Sequence, residues 1–219
     1  MYEQLSTRPG VLASLRLRRA TSPYPEDDVR YEPTLQERID RLEAVQLDQV
    51  KRLHAEFLGG ANGQAAVVGD FDPDTVRTLL HGMLDDWAAE VPYERIEEQA
   101  GTDLPPIDER IQTPGMTNAT YAARLEMAMD AFASDFAAMV IGNQILGASA
   151  IDSRLGDRIR QQEGLSYSVG SSFSASSQDP VATFEINAIA NPRNIPKLKS
   201  LVRAELESLL QKGIAAEEL

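Results

Sequence analysis

Two short runs late in the chain, Ser166 to Ser174 and Val181 to Ala190, read as strands joined by the polar turn Ser177-Gln178-Asp179-Pro180. A connection that short can only return the second strand antiparallel beside the first, because a parallel neighbour needs a crossover of a dozen or more residues. The second run carries Ala182, Phe184, Ile186 and Ala188 on alternate positions, so one of its faces is apolar. This hairpin commits the chain to a mainly antiparallel sheet, and the helical periods around it commit the whole to an α+β fold.

Those periods are clearest after the hairpin. Asn194 is placed to cap a helix striped by Leu198, Leu201, Val202, Leu206, Leu209 and Leu210 and closed by Gly213. Upstream, Tyr121, Ala123, Leu125, Met127 and Met129 alternate, which predicts a strand with one buried face. A helix follows on Phe136, Met139, Val140 and Leu146. The Gly-Ala-Ser-Ala tract at 147–150 is expected to end it before a short helix over Ser153–Glu163, and Gly164 suits the left-handed position that closes such a helix.

In the first half, Leu5 to Ala20 predicts a helix broken by Pro9, and Ser22-Pro23-Tyr24-Pro25 an extended connector. Thr34 to Glu37 reads as a capping box before a stripe of Ile39, Leu42 and Val45. A second helix buries Val50, Leu53 and Phe57 and ends at Gly59-Gly60, so a helical hairpin is expected. Gln64 to Val68 reads as a strand, Gly69 as a break, and Asp72-Pro73 as the cap and first residue of a helix carrying Val76, Leu79, Leu80, Met83 and Trp87. Val91 to Pro114, rich in proline and acid, has no period and reads as a connector. The sum is a two-layer sandwich with helices on one face of the sheet. Ala215 to Leu219 looks like the first turn of a further helix, so more structure is expected beyond it.

Composition closes several functional classes. The 219 residues, 42% hydrophobic, suffice for one sizeable core with a lead-in. With 21 basic against 34 acidic side chains the formal charge is −13, which disfavours nucleic acid as a partner, and the basic cluster Arg16, Arg18 and Arg19 reads as a solvated helix face. Cysteine is absent, which removes disulfides, thiolate metal sites and a cysteine nucleophile. No run approaches the roughly 20 apolar residues of a membrane-spanning helix, so membrane insertion is not expected.

The two histidines, His54 and His81, lie on different helical stretches, and neither has a second histidine within a turn. A zinc peptidase built on His-x-x-Glu-His needs two imidazoles one turn apart and a glutamate to activate water, so both read as helix-surface side chains. Gly164-Leu165-Ser166-Tyr167-Ser168 has serine where a nucleophile elbow needs its final glycine, and Gly59 to Gly63 lacks the lysine of a phosphate loop. What remains is a concentration of donors between Ser153 and Val169. Arg154, Arg158 and Arg160 precede Gly164 and Tyr167. The arginines could simply pair with the abundant acids, and Tyr167 could be a sheet residue with a wet hydroxyl.

At these residues the chain resembles a known family. Arg160 followed seven positions later by Tyr167, within Leu155-Gly156-Asp157-Arg158-Ile159-Arg160 and Gly164-Leu165-Ser166-Tyr167-Ser168-Val169, is similar to the arginine and tyrosine segment of pitrilysin/insulinase (inverzincin) zinc metallopeptidases, in the half that lacks metal. Asn143 to Gly147 and Ser153 to Leu155 resemble the approach to that segment. Val67 to Pro73 resembles the opening strand of the same repeat, and Tyr31 to Phe57 a helical lead-in from a preceding domain. The glutamines at 161 and 162 stand where charged residues are common in the family, and strand and helices expected after the last helix are missing.

The resemblance implies a lead-in over residues 1–58 and a non-catalytic α+β domain over 59–219. It implies no zinc on this chain and zinc in a homologous, metal-bearing half, fused or separate. Peptide would be the substrate, with Arg160 and Tyr167 as substrate-binding residues and no catalytic residue here. By itself the chain would be inactive. A structural or assembly module of the same fold is the alternative. By resemblance the setting would be a bacterial periplasm or envelope, with the cytoplasm left open.

Overall fold

The antiparallel sheet forms where the alternation puts it. In the computed structural model, which describes residues 7–61, 63–149 and 151–218, strands β1 (Ala119–Met127), β2 (Ser166–Ala175) and β3 (Ala182–Ala190) pair in the order β1-β3-β2. Phe184 of the central strand faces Leu125 on one side and Phe173 on the other. The α-helices among the described residues are α1 (Pro9–Thr21), α2 (Leu35–Ala44), α3 (Leu47–Phe57), α4 (Pro73–Leu84), α5 (Phe136–Asn143) and α6 (Ile195–Lys212). The fold is α+β, as expected. Two compact units divide it: residues up to 38 with those from 97 onward, and residues 39–96.

In the first unit, the inward side chains of β3 (Ile186, Ala188) and Val169 of β2 meet Leu155 and Ile159 from a π-helical turn (Gly156–Gln162 and the residue before it), and Leu198 and Val202 from α6. Burying each large side chain in this cluster contributes about 1.5–3 kcal/mol. The α6 stripe therefore faces the core as its period predicts, except that Leu210, one residue round from Leu209, is exposed, and Gly213, at φ 71°, closes the helix by donating to the Leu209 carbonyl at 3.0 Å. Its start differs from expectation. A 3₁₀ turn over Pro192–Asn194 precedes it, and the side chain that caps is Asn191, accepting from the Arg193 amide at 3.0 Å, rather than Asn194.

The helix ends within the tract at 147–150, as expected, with Ser149 extended, but its last turn is not α-helical. A π-helical turn over Gln144–Ala148 carries on from α5 and lies against β2. Gly147 permits this: a Cβ there would sit 2.6 Å from Ser171 Oγ and 2.8 Å from the Ser171 amide nitrogen. Ala150 lies outside the described residues.

Pro9 opens α1 rather than breaking it, since the first helical position needs no N–H. Residues Leu5 and Ser6 of the expected helix lie outside the described residues. Helix α1 also corrects the one-faced sandwich. Tyr121 and Ala123 of β1 join the core, while α1 packs on the opposite face, where Arg124 Nε donates to Thr21 Oγ1 at 3.1 Å. The capping box forms, with the Glu37 amide donating to Thr34 Oγ1 at 3.2 Å and the Thr34 amide to Glu37 at 2.6 Å. Arg16, Arg18 and Arg19 pair with Glu109, Glu32 and Glu37, so the basic cluster is neutralised.

The unit of residues 39–96 contains the expected helices without the expected burial. Asp72 caps α4, accepting from the Thr75 amide at 2.7 Å, with Pro73 first in the helix. Gly60 donates to the Trp87 carbonyl at 2.8 Å. Val50, Leu53 and Phe57, expected on a buried side, are exposed, as are Leu42 and Val45 of the stripe before them, because nothing among the described residues covers them. Gln64–Val68 is not a strand. A strand exists only through a paired neighbour, none is present among the described residues, and Val68 is 99% exposed. Asn62, inside the glycine-rich tract, lies outside the described residues.

Candidate functional site

The site is assembled from two adjacent elements, the π-helical turn and the start of β2. Leu155 and Ile159 are fully buried and fix the turn to the core, which leaves the residues beside them at the surface. The backbone then reverses through Gly164, at φ 59°, and the Leu165 amide donates to the Ile159 carbonyl at 3.0 Å. Only glycine adopts that left-handed conformation without a Cβ penalty.

The three arginines of the turn divide by partner. Arg154 makes two bonds to Glu218, at 2.7 and 2.6 Å, and a third to the Gly213 carbonyl at 2.8 Å. Those bonds, with the Ala215 amide, hold the Glu218 carboxyl down at about 2. Arg158 donates to Gln162 at 2.8 Å and lies 3.6 Å from Glu163. Both therefore serve structure. Arg160 differs: among the described residues no carboxylate pairs with it, and its guanidinium carbon lies 5.3 Å from the centre of the Tyr167 ring. That distance is a cation–π contact, which holds the guanidinium over the ring while leaving its N–H donors available.

Tyr167 is placed by a break in the sheet register. Ser166 pairs with Ala190 and Ser168 with Ile189, so Tyr167 is the extra residue of a β-bulge. From Val169 onward the odd positions face the core. Strict alternation would send Tyr167 inward with them, but the bulge turns it out, and it is 87% exposed. An open recess of about 340 Å³ is lined by Arg160, Gly164, Leu165, Ser166 and Tyr167. The structure thus brings together Arg160 and Tyr167, the two residues singled out in the sequence. Periodicity does not reveal the bulge or the buried Ser166 beside it, since a serine before a tyrosine carries no periodic signal.

Chemically, the recess offers a fixed positive charge and a phenolic donor, and no base or nucleophile. The Ser166 hydroxyl is committed to two backbone carbonyls, at 2.8 and 2.7 Å, which removes it as a nucleophile. Elsewhere, the His54 ring stacks on Trp87 at 5.6 Å, and His81 Nδ1 lies 2.9 Å from Asp85. Among the described residues, no three His, Cys, Asp or Glu side chains gather where they could hold a metal, and no helix is long and apolar enough to cross a membrane.

A family model described as the peptidase M16 inactive domain matches residues 44–219. Among solved structures, the chain is similar to a peptidase M16 inactive domain from Pseudomonas fluorescens, at 23% identity and TM-score 0.66, covering 99% of this chain and 50% of that one. A protease from Helicobacter pylori is similar at 19% identity and TM-score 0.63, covering 82% and 43%. A conserved protein from Enterococcus faecalis V583 is similar at 17% identity and TM-score 0.62, covering 99% and 49%. These likenesses establish the fold, and the chain spans about half the length of these structures or less. No curated protein matches it.

Proposed function

Because the chain belongs to the peptidase M16 family, in which it matches the inactive domain, we propose that it is the non-catalytic half of a pitrilysin/insulinase-type zinc endopeptidase. In this reading, residues 1–58 are a lead-in and 59–219 the domain that closes over peptide beside a homologous, metal-bearing half, fused or separate. The residues of this chain do not fit a zinc site, since its two histidines stand apart on α3 and α4 and, among the described residues, no metal-ligating cluster surrounds either. Zinc would be held by the other half.

One observation carries the reading. In a chain with a charge of −13, the half-buried Arg160 has no carboxylate partner among the described residues and is laid over a tyrosine that a bulge turns outward. A scaffold gains nothing from that arrangement. A peptide carbonyl under attack gains a great deal, because its oxygen becomes an oxyanion, and preorganised donors aimed at developing charge are among the largest contributors to catalysis. Tyr167 would donate through its hydroxyl and Arg160 through its guanidinium, with the charge of the latter permanent at any working pH. Both are auxiliaries to chemistry performed elsewhere.

The test is turnover of a quenched, unstructured peptide by the parent enzyme, comparing wild type with Arg160→Ala and Tyr167→Phe. A loss of about 10-fold or more with zinc content unchanged is expected, toward the scale of one oxyanion donor. Turnover equal to wild type in both variants would transfer the chain to a structural or assembly role.

A further inference from the structure

We propose that Ser166 is a positioning residue: its buried hydroxyl clamps the β-bulge and thereby aims Tyr167 out of the sheet and under Arg160. The inference rests on the reading of Arg160 and Tyr167 as a substrate-facing pair and adds the device that presents them.

A bulge sets two residues of one strand against one of its partner, and the local ladder is disrupted. Backbone groups freed in this way need new partners if the bulge is to hold one geometry. Here one side chain collects them. Ser166 is 5% exposed, and its Oγ lies 2.7 Å from the Ile189 carbonyl of β3 and 2.8 Å from the Ser168 carbonyl beyond the bulge, while accepting from the Ser168 amide at 3.2 Å. The single hydroxyl proton serves the two carbonyls and a lone pair serves the amide. The clamp therefore spans both strands and both sides of Tyr167. It also occupies the inward position that alternation would have given to the tyrosine, so the serine's burial and the tyrosine's exposure have the same origin.

Replacing Ser166 by alanine removes all three bonds while keeping the small volume. The bulge then loses what favours it over the regular register, and the regular register turns residue 167 inward. Threonine keeps a hydroxyl on the same carbon and is at home in a strand, so it should restore the clamp.

The experiment has two arms. In the first, nuclear Overhauser contacts between the Tyr167 ring and the Arg160 δ-protons are measured on this chain. They are expected in wild type and in Ser166→Thr, and lost in Ser166→Ala while the core methyl resonances keep their positions. If Ser166→Ala does not fold, the near-isosteric Ser166→Cys, a weak donor, is read in its place with the same expectation. Contacts that persist in the folded alanine or cysteine variant overturn the proposal. In the second arm, kcat of the assembled parent enzyme is expected to fall about 10-fold or more in Ser166→Ala with KM nearly constant, as a misplaced group would cause. It should fall no further when Ser166→Ala is added to Tyr167→Phe. Additive losses overturn the proposal. If Tyr167→Phe alone is fully active but the first arm behaves as expected, the clamp stands and the substrate-facing reading fails.

Discussion

The sheet unit and the unit of residues 39–96 carry the same kind of periodic signal, yet they are held together differently. In the sheet unit, the α6 stripe meets a sheet, and Leu198 and Val202 are fully enclosed. In residues 39–96, the stripes of α3 and α4 are equally regular, yet none of the described residues there is buried. The difference teaches that a 3.6-residue period identifies which face of a helix is apolar, and that burial requires a second surface to close on it. Local devices, the Asp72 cap and the Gln46–Gln49 capping box, suffice to define those helices.

The largest expected effect would break this contrast outright. Leu198→Ala should cost about 2–5 kcal/mol in chemical denaturation, as a cavity in a packed core does, whereas Leu53→Ala should stay within about 0.5 kcal/mol. Equal losses would mean that residues 39–96 possess a core after all. Next, Gly147→Val forces a side chain onto the Ser171 backbone and should cost about 1–3 kcal/mol, measured in the same way. Hydrogen exchange should rank the regions likewise, with amides of the doubly paired β3 the slowest and those of α3 and α4 among the fastest.

The smallest effect concerns acid. The Glu218 carboxyl is held at about 2 in the folded chain, below its usual 4.5, by Arg154 and the Ala215 amide. A depressed carboxyl contributes stability above its unfolded value and loses it as pH falls through its folded value. The advantage of wild type over Glu218→Gln in thermal melts should therefore be full above about pH 4.5 and gone by about pH 2. An advantage that does not change over this range would show that the pair holds no charge-dependent stability.

How much of this was legible follows from what each signal encodes. The hairpin, the α6 stripe, the Thr34 capping box and the Asp72 cap depend on residues a few positions apart, and sequence spacing states them directly. Strand Gln64–Val68 failed because a strand needs a partner that spacing cannot supply. Arg160 and Tyr167 were identifiable as a pair through the family resemblance, but their approach across Gly164 and the outward aim of Tyr167 were not. The aim depends on one extra residue in a ladder and on a serine whose three bonds reach residues 168 and 189. Alternation alone would have put the tyrosine on the wrong face.

The most direct measurement of the central claim is made at Tyr167 itself. With 3-fluorotyrosine incorporated at position 167 of the assembled parent enzyme, the ¹⁹F resonance should shift saturably as an uncleavable peptide is added, and Arg160→Ala should weaken that response. A resonance that stays in place at peptide concentrations which saturate the enzyme would contradict the account, because Tyr167 would then not face the substrate.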